Sequence, residues 1–222
     1  NKYINIKKLM KKLLIYLHFA MFIFVFPTQV LSKNVEFTVV AGGCFWCVEA
    51  DFEKITGVIE AISGFSGGHK KNPTYKEVIK GKTGHFEAVK ISYDSDVIKY
   101  KDLIDIFWRT IDPTDGTGQF CDRGFSYQSA VFVKSSIEKD IAILSKLEAQ
   151  KKLKDEILTP ILELKNFYPA DQTHQDYYKG ENIIFTRYGL IKQSKAYKYY
   201  RKGCGRDLRL KELWGSDAFI SN

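Results

Sequence analysis

The sequence predicts an α+β domain of two layers, a mixed β-sheet with helices flanking it. Apolar stretches of strand length alternate with segments of helical period along the 222 residues. No internal repeat and no low-complexity linker interrupts that alternation, so it is read as a single domain.

The first predicted strand covers about 35–41, carried by Phe37-Thr38-Val39-Val40-Ala41, and Gly42-Gly43 turn it into a helix from 44 to about 55. After Gly57 a second strand runs over 58–65 and stops at Gly67-Gly68. Asn72-Pro73-Thr74 marks a helix start, with proline suited to a first turn. Residues 86–93 alternate with period two, the mark of a strand. Residues 100–110 form an amphipathic helix with Leu103, Ile104, Phe107 and Trp108 on one face. A loop rich in Gly, Pro and Asp spans 112–122, and a short buried strand follows over 129–133. A long helix is expected over 136–152 with Ile137, Ile141, Leu144 and Leu147 turned to the core, then a last core strand over 159–164. Beyond about 180 the chain is rich in Tyr and Lys, and Gly203-Cys204-Gly205 interrupts it.

Ahead of the domain, Lys2, Lys7, Lys8, Lys11 and Lys12 precede an apolar run over 13–26 that Pro27 ends. At ~1.5 Å per residue the run spans about 21 Å as a helix, short of the ~30 Å hydrocarbon core of a bilayer. Residues 1–32 are therefore expected to be a signal peptide cleaved after Ser32, in preference to an uncleaved anchor. The protein is expected to be exported, in a bacterial periplasm. Those lysines supply five of the net +8 charges, and the remaining +3 is interspersed with acidic residues. Such a balance gives no ground for nucleic-acid binding, and a monomer is expected.

Cys44, Cys47, Cys121 and Cys204 all follow that leader. A domain of roughly 190 residues buries an adequate core without staples, so redox chemistry is as good a reading of them as two structural bridges. Cys44 stands at a strand-to-helix turn, where unpaired N–H groups and the helix dipole favour a thiolate. The glycines before it permit the tight turn, and Phe45 and Trp46 offer an apolar wall for an uncharged substrate group. A lone cysteine there would read as structural, but the Gly-Gly lead-in and two further clusters argue otherwise. Glu87 lies between Phe86 and Ala88, where burial would keep its carboxyl protonated and able to donate to an oxygen gaining charge. An isolated Glu at that position would instead be a solvated strand edge. Tyr75 and Tyr127 are candidate hydroxyl donors in a chain with 13 tyrosines, most of which pack. The loop carrying Cys121, Asp122 and Tyr127 ends at a strand, where functional side chains commonly sit.

Taken together, Gly43-Cys44-Phe45-Trp46, Gly67-Gly68, Asn72-Pro73-Thr74-Tyr75, Gly84-His85-Phe86-Glu87 and Asp122-Arg123-Gly124-Phe125-Ser126-Tyr127-Gln128-Ser129-Ala130 resemble the A-type peptide-methionine sulfoxide reductases in order and spacing. The resemblance runs from about 37 to 178. It implies a ferredoxin-like core with an extended C-terminal tail, and reduction of methionine S-sulfoxide, free or in proteins, with no metal or organic cofactor. It implies Cys44 as nucleophile, Glu87 as proton donor, Tyr75 and Tyr127 as hydrogen-bond donors to the sulfoxide oxygen, and Asp122 as support. Phe45 and Trp46 correspond to the pocket for the substrate's methyl group. The partners implied are oxidised proteins and a thioredoxin-type thiol reductant.

Recycling needs a second thiol to condense with the sulfenic acid. Cys204 resembles the recycling cysteine of many family members, and its flanking glycines would let the tail approach Cys44. Cys47 makes a C-x-x-C with Cys44 and is the other candidate. Of the two, Cys204 is favoured, while Cys121 reads as a semi-buried spectator. Residues 181–222 thus read as a tail attached to a catalytic domain over 33–180. A thioredoxin-like dithiol oxidoreductase using Cys44-Cys47 is the alternative, and it leaves Glu87 and 122–130 unexplained. A zinc site from the four cysteines would want two close pairs, and the sequence has one.

Overall fold

The computed structural model describes residue 6 and residues 34–219. The predicted leader lies, residue 6 apart, outside the described residues. In chain order the elements are β1 (Val35–Gly42), α1 (Phe45–Phe52), β2 (Val58–Ser66), α2 (Tyr75–Val78), β3 (Phe86–Asp94), α3 (Tyr100–Trp108), β4 (Gly118–Gln119), β5 (Asp122–Arg123), β6 (Ser129–Val133), α4 (Ser136–Gln150), β7 (Ile161–Glu163), β8 (Phe167–Pro169), β9 (Ile183–Thr186), β10 (Gly189–Lys192), α5 (Gln193–Gly203) and α6 (Arg206–Trp214).

Six strands form a mixed sheet in the order β7-β6-β1-β3-β2-β8. All neighbours are antiparallel except β6 and β7. Its centre, β6-β1-β3-β2, is the ferredoxin-like order, with α1 following β1 and α3 following β3. Register sets the core: Val40 lies opposite both Val89 and Val131, and all three join Val48 and Phe52 of α1 and Leu103 and Phe107 of α3. Because side chains alternate along a strand, Val39, Ala41, Ala88, Ala130 and Phe132 meet on the other face in a second, smaller cluster. Both faces of β1, β3 and β6 are therefore covered.

The face of α4 differs from the sequence expectation. Ile137, Leu144 and Leu147 are exposed, and Ala142, Ser145 and Ala149 are the buried residues. The large side chains at this contact come from α3, whose Trp108 donates from Nε1 to Ser145 Oγ at 2.8 Å. Small residues on α4 let the helices close around that indole, and Ser145 Oγ donates its own hydrogen bond to Asp105. Apolar periodicity identified the helix, but the bulk of α3 chose its buried side.

The predicted strand at 159–164 is the three-residue β7 at one sheet edge, and β8 at the other edge was not foreseen. Three residues ending in proline carry too little pattern to be recognised. After β8 the chain forms a separate hairpin, β9 and β10, and two helices. Gly203-Cys204-Gly205 is the turn between α5 and α6, with Gly205 at φ +69°. The mobility expected of that segment is replaced by packing: Leu210 and Trp214 of α6 enter the main core, and Trp214 Nε1 donates to Ile111 O at 3.3 Å.

Candidate active site

The turn from β1 into α1 places Cys44 as the residue capping the helix start. Gly43 has φ +79°, and a Cβ there would stand 2.5 Å from Cβ of the buried Gln119. Glycine is therefore required by both conformation and space. Gln119 holds the far wall in place by accepting from Asp112 N at 2.9 Å and donating to Asp112 O at 2.7 Å.

Glu87 is the second residue of β3 and points to the helix side of the sheet, as Val89 does. It is 1% exposed, and its Oε2 accepts the Phe45 N–H at 3.1 Å. Among the described residues Oε1 accepts no close hydrogen bond. Burial raises the carboxyl pKa to about 8, the Phe45 bond opposes that, and the charge of Asp122 adds to it. Glu87 is thus mostly protonated at pH 7. The Tyr127 hydroxyl acts on this carboxyl and on the Tyr75 hydroxyl, and burial keeps both tyrosines as phenols. Asp122, at the inner end of the loop, has its own pKa raised by burial, against the pull of Arg206 and Arg123.

Phe45 is fully buried and packed by Phe65, Tyr75 and His174 at ring-centroid distances of 6.0, 5.9 and 5.5 Å. Trp46 lines the cavity with Cys44, and Tyr177 stacks flat on it at 3.8 Å. Of the two residues assigned to the apolar wall, Trp46 lines the cavity that holds the cysteines, and Phe45 packs on the Tyr75 side, outside that lining. His174 lies between them and Tyr75, 4.3 Å from the tyrosine ring; burial lowers its pKa. Neither His174 nor Tyr177 was singled out from the sequence, since their segment has no periodicity to read.

That segment is tied down by Glu49 of α1. Its carboxylate accepts from Ser63 Oγ at 2.6 Å and from Asp176 N at 2.7 Å, while burial brings its pKa up to about 7. Glu49, Glu53 and Asp176 lie close enough to suggest a cation site. Ser63, Asp176 N–H, Tyr178 and Lys179 already occupy the two glutamates.

The four cysteines line one cavity of about 290 Å³. Cys121 and Cys204, 83 residues apart, are joined in a disulfide with a Cα separation of 4.8 Å, and Cys44 and Cys47 are free. Cys121 is therefore bonded, not the spectator expected of it. Cys44 donates a hydrogen bond to Cys47. That bond, burial, and the charges of Cys47, Glu87 and Asp122 push the Cys44 thiol well up. Cys47, as acceptor, is brought down to about 7 despite burial, with Arg206 and Arg201 assisting. The helix start was expected to favour the anion on Cys44, yet its side chain caps no N–H of α1. The pair's first negative charge rests on Cys47 because it accepts the Cys44 hydrogen bond, and the Arg206 and Arg201 charges add to that.

Those arginines come from the last two helices. Arg201 is 6% exposed and pairs with Asp51 at 2.9 Å and Asp207 at 2.7 Å. Arg206 is 2% exposed and donates to Gly42 O at 3.2 Å and Thr110 O at 2.7 Å. Buried cations held by carboxylate and carbonyls keep a fixed field beside the sulfurs. The sequence reading passed over them, because arginine in a basic tail looks like surface.

Paired thiols facing a neutral carboxyl make this a redox thiol site. The peptide methionine sulfoxide reductase family matches residues 36–205. Peptide methionine sulfoxide reductase MsrA 2 of Rhizobium meliloti is 42% identical over 188 residues, covering 85% of this chain and 88% of its own length. The protein of the same name from Caulobacter vibrioides is 45% identical over 185 residues, 83% and 88% of the two chains. Among solved structures, reduced Mxr1 from Saccharomyces cerevisiae superposes with a TM-score of 0.63 at 32% identity, over 66% of this chain and 85% of its own. Methionine sulfoxide reductase A of Corynebacterium diphtheriae gives 0.60 at 26% identity, over 72% and 85%. The chain belongs to the peptide methionine sulfoxide reductase family.

Proposed function

We propose that this protein reduces methionine S-sulfoxide, free or within polypeptides, to methionine by thiol chemistry and so repairs oxidised proteins. The observation that carries this is the setting of Glu87, a carboxyl neutral at pH 7 whose Oε1 has no close acceptor, bonded to the residue after Cys44. A proton held there is available to an oxygen that gains negative charge during attack at its sulfur.

Cys44 passes its proton along its hydrogen bond to the Cys47 thiolate and becomes the nucleophile. Its sulfur bonds to the sulfoxide sulfur as Glu87 protonates the oxygen. That S–S bond and the methionine S–O bond then break as the hydroxyl bonds to the Cys44 sulfur, which is oxidised by the two electrons that reduce the methionine sulfur. Methionine leaves, Cys44 carries the sulfenic acid, and Glu87 is left as carboxylate. Tyr75 and Tyr127 add hydroxyl donors that strengthen as the oxygen becomes anionic. Asp122 helps keep Glu87 protonated. Trp46 takes the methyl group.

Cys47 is the sulfur in hydrogen-bond contact with Cys44, whereas Cys204 is engaged with Cys121. The contact supports Cys47 as the thiol that expels water from the sulfenic acid and closes the Cys44–Cys47 disulfide. The Cys121–Cys204 pair, in the same cavity, then passes two electrons inward by thiol–disulfide exchange after an external dithiol has reduced it. The lysine-led apolar segment at 13–26 supports an exported location.

The test is reduction of a peptide containing defined methionine sulfoxide epimers with dithiothreitol, followed by mass. Conversion of the S epimer, with loss of 16 mass units per turnover expected from one oxygen (about 16 by elementary composition), supports the reading. Absence of reduction, or reduction undiminished in Cys44→Ser, overturns it.

A further inference from the structure

The hairpin of β9 and β10 forms a two-stranded sheet of its own, with Phe185 opposite Leu190 and Ile183 opposite Lys192. Period two divides its faces. Ile184 turns inward and packs on the cluster of Cys47, Ala50, Tyr177 and Tyr197. Ile183, Phe185 and Leu190 turn outward and are 70%, 85% and 71% exposed. A contiguous apolar patch in water has no role in the fold and marks an interaction surface.

Its position says what the surface serves. Arg187, in the hairpin turn, lines the cavity that holds the four cysteines, as does Tyr200 of α5. Phe185 is two residues from Arg187, about 7 Å along the strand. Cys121 is exposed at that cavity while Cys47 is buried, so the Cys121–Cys204 bond is the one a large partner reaches first. The patch also has a sign. Within residues 181–202, which hold the hairpin and α5, the exposed charged side chains are Arg187, Lys192, Lys195, Lys198 and Lys202 against one acid, Glu181, which Lys192 engages. A second copy of this chain would bring the same charge to the contact, and so would the lysine-led N-terminal segment. The complementary occupant is acidic.

We propose that the outward face of the β9–β10 hairpin docks the protein dithiol that reduces the enzyme, a thioredoxin-type partner with an acidic rim around an apolar patch at its reactive cysteine. The proposal rests on the function proposed above. In the docked pair one partner thiolate attacks a sulfur of the Cys121–Cys204 bond, forming a mixed disulfide and releasing the other sulfur as thiolate. The partner's second thiol attacks its own mixed-disulfide sulfur and closes the partner's disulfide. Two electrons and two protons thus pass to Cys121 and Cys204.

The experiment compares the full chain with Phe185→Ser/Leu190→Ser in steady-state reduction of a methionine S-sulfoxide peptide. One arm uses dithiothreitol, the other a bacterial thioredoxin kept reduced by its reductase and NADPH. The expected result is a KM for thioredoxin raised at least tenfold, with the dithiothreitol rate unchanged, which also shows the variant is folded. Lys192→Glu/Lys195→Glu should raise the same KM and flatten its dependence on salt. An unchanged KM for thioredoxin overturns the proposal, as does a change confined to KM for the peptide or to binding of phosphatidylglycerol vesicles. If the unaltered chain fails to turn over even with dithiothreitol, the proposed function fails and not the docking surface.

Discussion

The backbone N–H of Phe45 donates to Oε2 of Glu87 across 3.1 Å, so the first residue of α1 and the second of β3 fix one another. Two opposed effects meet in that contact. The bond stabilises the carboxylate, while burial stabilises the acid, and burial wins because its penalty applies to the whole charge. The same contact sets the distance between the helix that starts at Cys44 and the strand that carries the acid.

The rate of the first, sulfenic-acid-forming step should be bell-shaped in pH. It needs one negative charge on the Cys44/Cys47 pair, available above about 7, and a protonated Glu87, available below about 8. Single-turnover measurements should therefore place the maximum between those limbs. Asp122→Asn removes a charge that opposes Glu87 ionisation, so the alkaline limb should move to lower pH. An alkaline limb that stays in place would show that Asp122 does not act on the acid.

Glu87→Gln keeps the shape and the Phe45 bond but removes the proton. The first step should slow ~10²–10⁴-fold, the usual loss for a general acid. Stability should move the other way. Between the ordinary carboxyl value of 4.5 and about 8 the folded protein holds a proton that the unfolded chain has lost, so stability falls as pH rises through that window. The glutamine variant escapes that fall. Its Tm should match the unaltered protein near pH 4.5 and exceed it above pH 8, by at least the ~2–4 °C that 1 kcal/mol represents in a domain of this size. Equal Tm values across the range would argue against a buried, proton-retaining Glu87.

Cys44→Ser should abolish turnover, because a hydroxyl at neutral pH is a far weaker nucleophile than a thiolate. Cys47→Ser removes the thiolate that takes the Cys44 proton, so it should allow one slowed turnover and leave a sulfenic acid on Cys44 that dimedone traps. Cys204→Ser and Cys121→Ser should still form the Cys44–Cys47 bond but recycle slowly with a thioredoxin. Non-reducing peptide mapping of the enzyme after one turnover decides between the routes. A Cys44–Cys204 peptide in place of Cys44–Cys47 would return the resolving role to the tail cysteine.

Glu49→Ala should destabilise the fold by about 2–5 kcal/mol, since it strands the Ser63 hydroxyl and the Asp176 N–H beside a new void. Denaturant unfolding at pH 6 measures it. A cost under ~0.5 kcal/mol, the range of ordinary surface changes, would mean that neither bond carries weight.

Ala142→Leu should cost about 1–3 kcal/mol by overfilling the contact of α4 with α3, while Leu144→Ser on the exposed side should stay within ~0.5 kcal/mol. The opposite ranking would restore the face of α4 expected from its leucines.

The sequence by itself determined the parts whose information is local. The strands at 35–42, 58–66, 86–94 and 129–133 are written in runs of β-branched and aromatic residues, and the ends of the first helix in its flanking glycines. The residues around Cys44 and Glu87 were legible for the same reason, since each sits on a short motif tied to its own turn or strand. Tertiary structure decided what depends on residues far apart in the chain. Cys121 and Cys204 meet because α5 and α6 fold back over the loop at 112–122, and no spacing in the sequence encodes an approach across 83 residues. Arg201 and Arg206 became buried cations only when Asp51 and the carbonyls of Gly42 and Thr110 closed on them. Where the protons rest on Cys44, Cys47 and Glu87 follows from that burial and that field. Ionisation is set by the dielectric and the charges within a few ångströms, which exist only once the chain has folded.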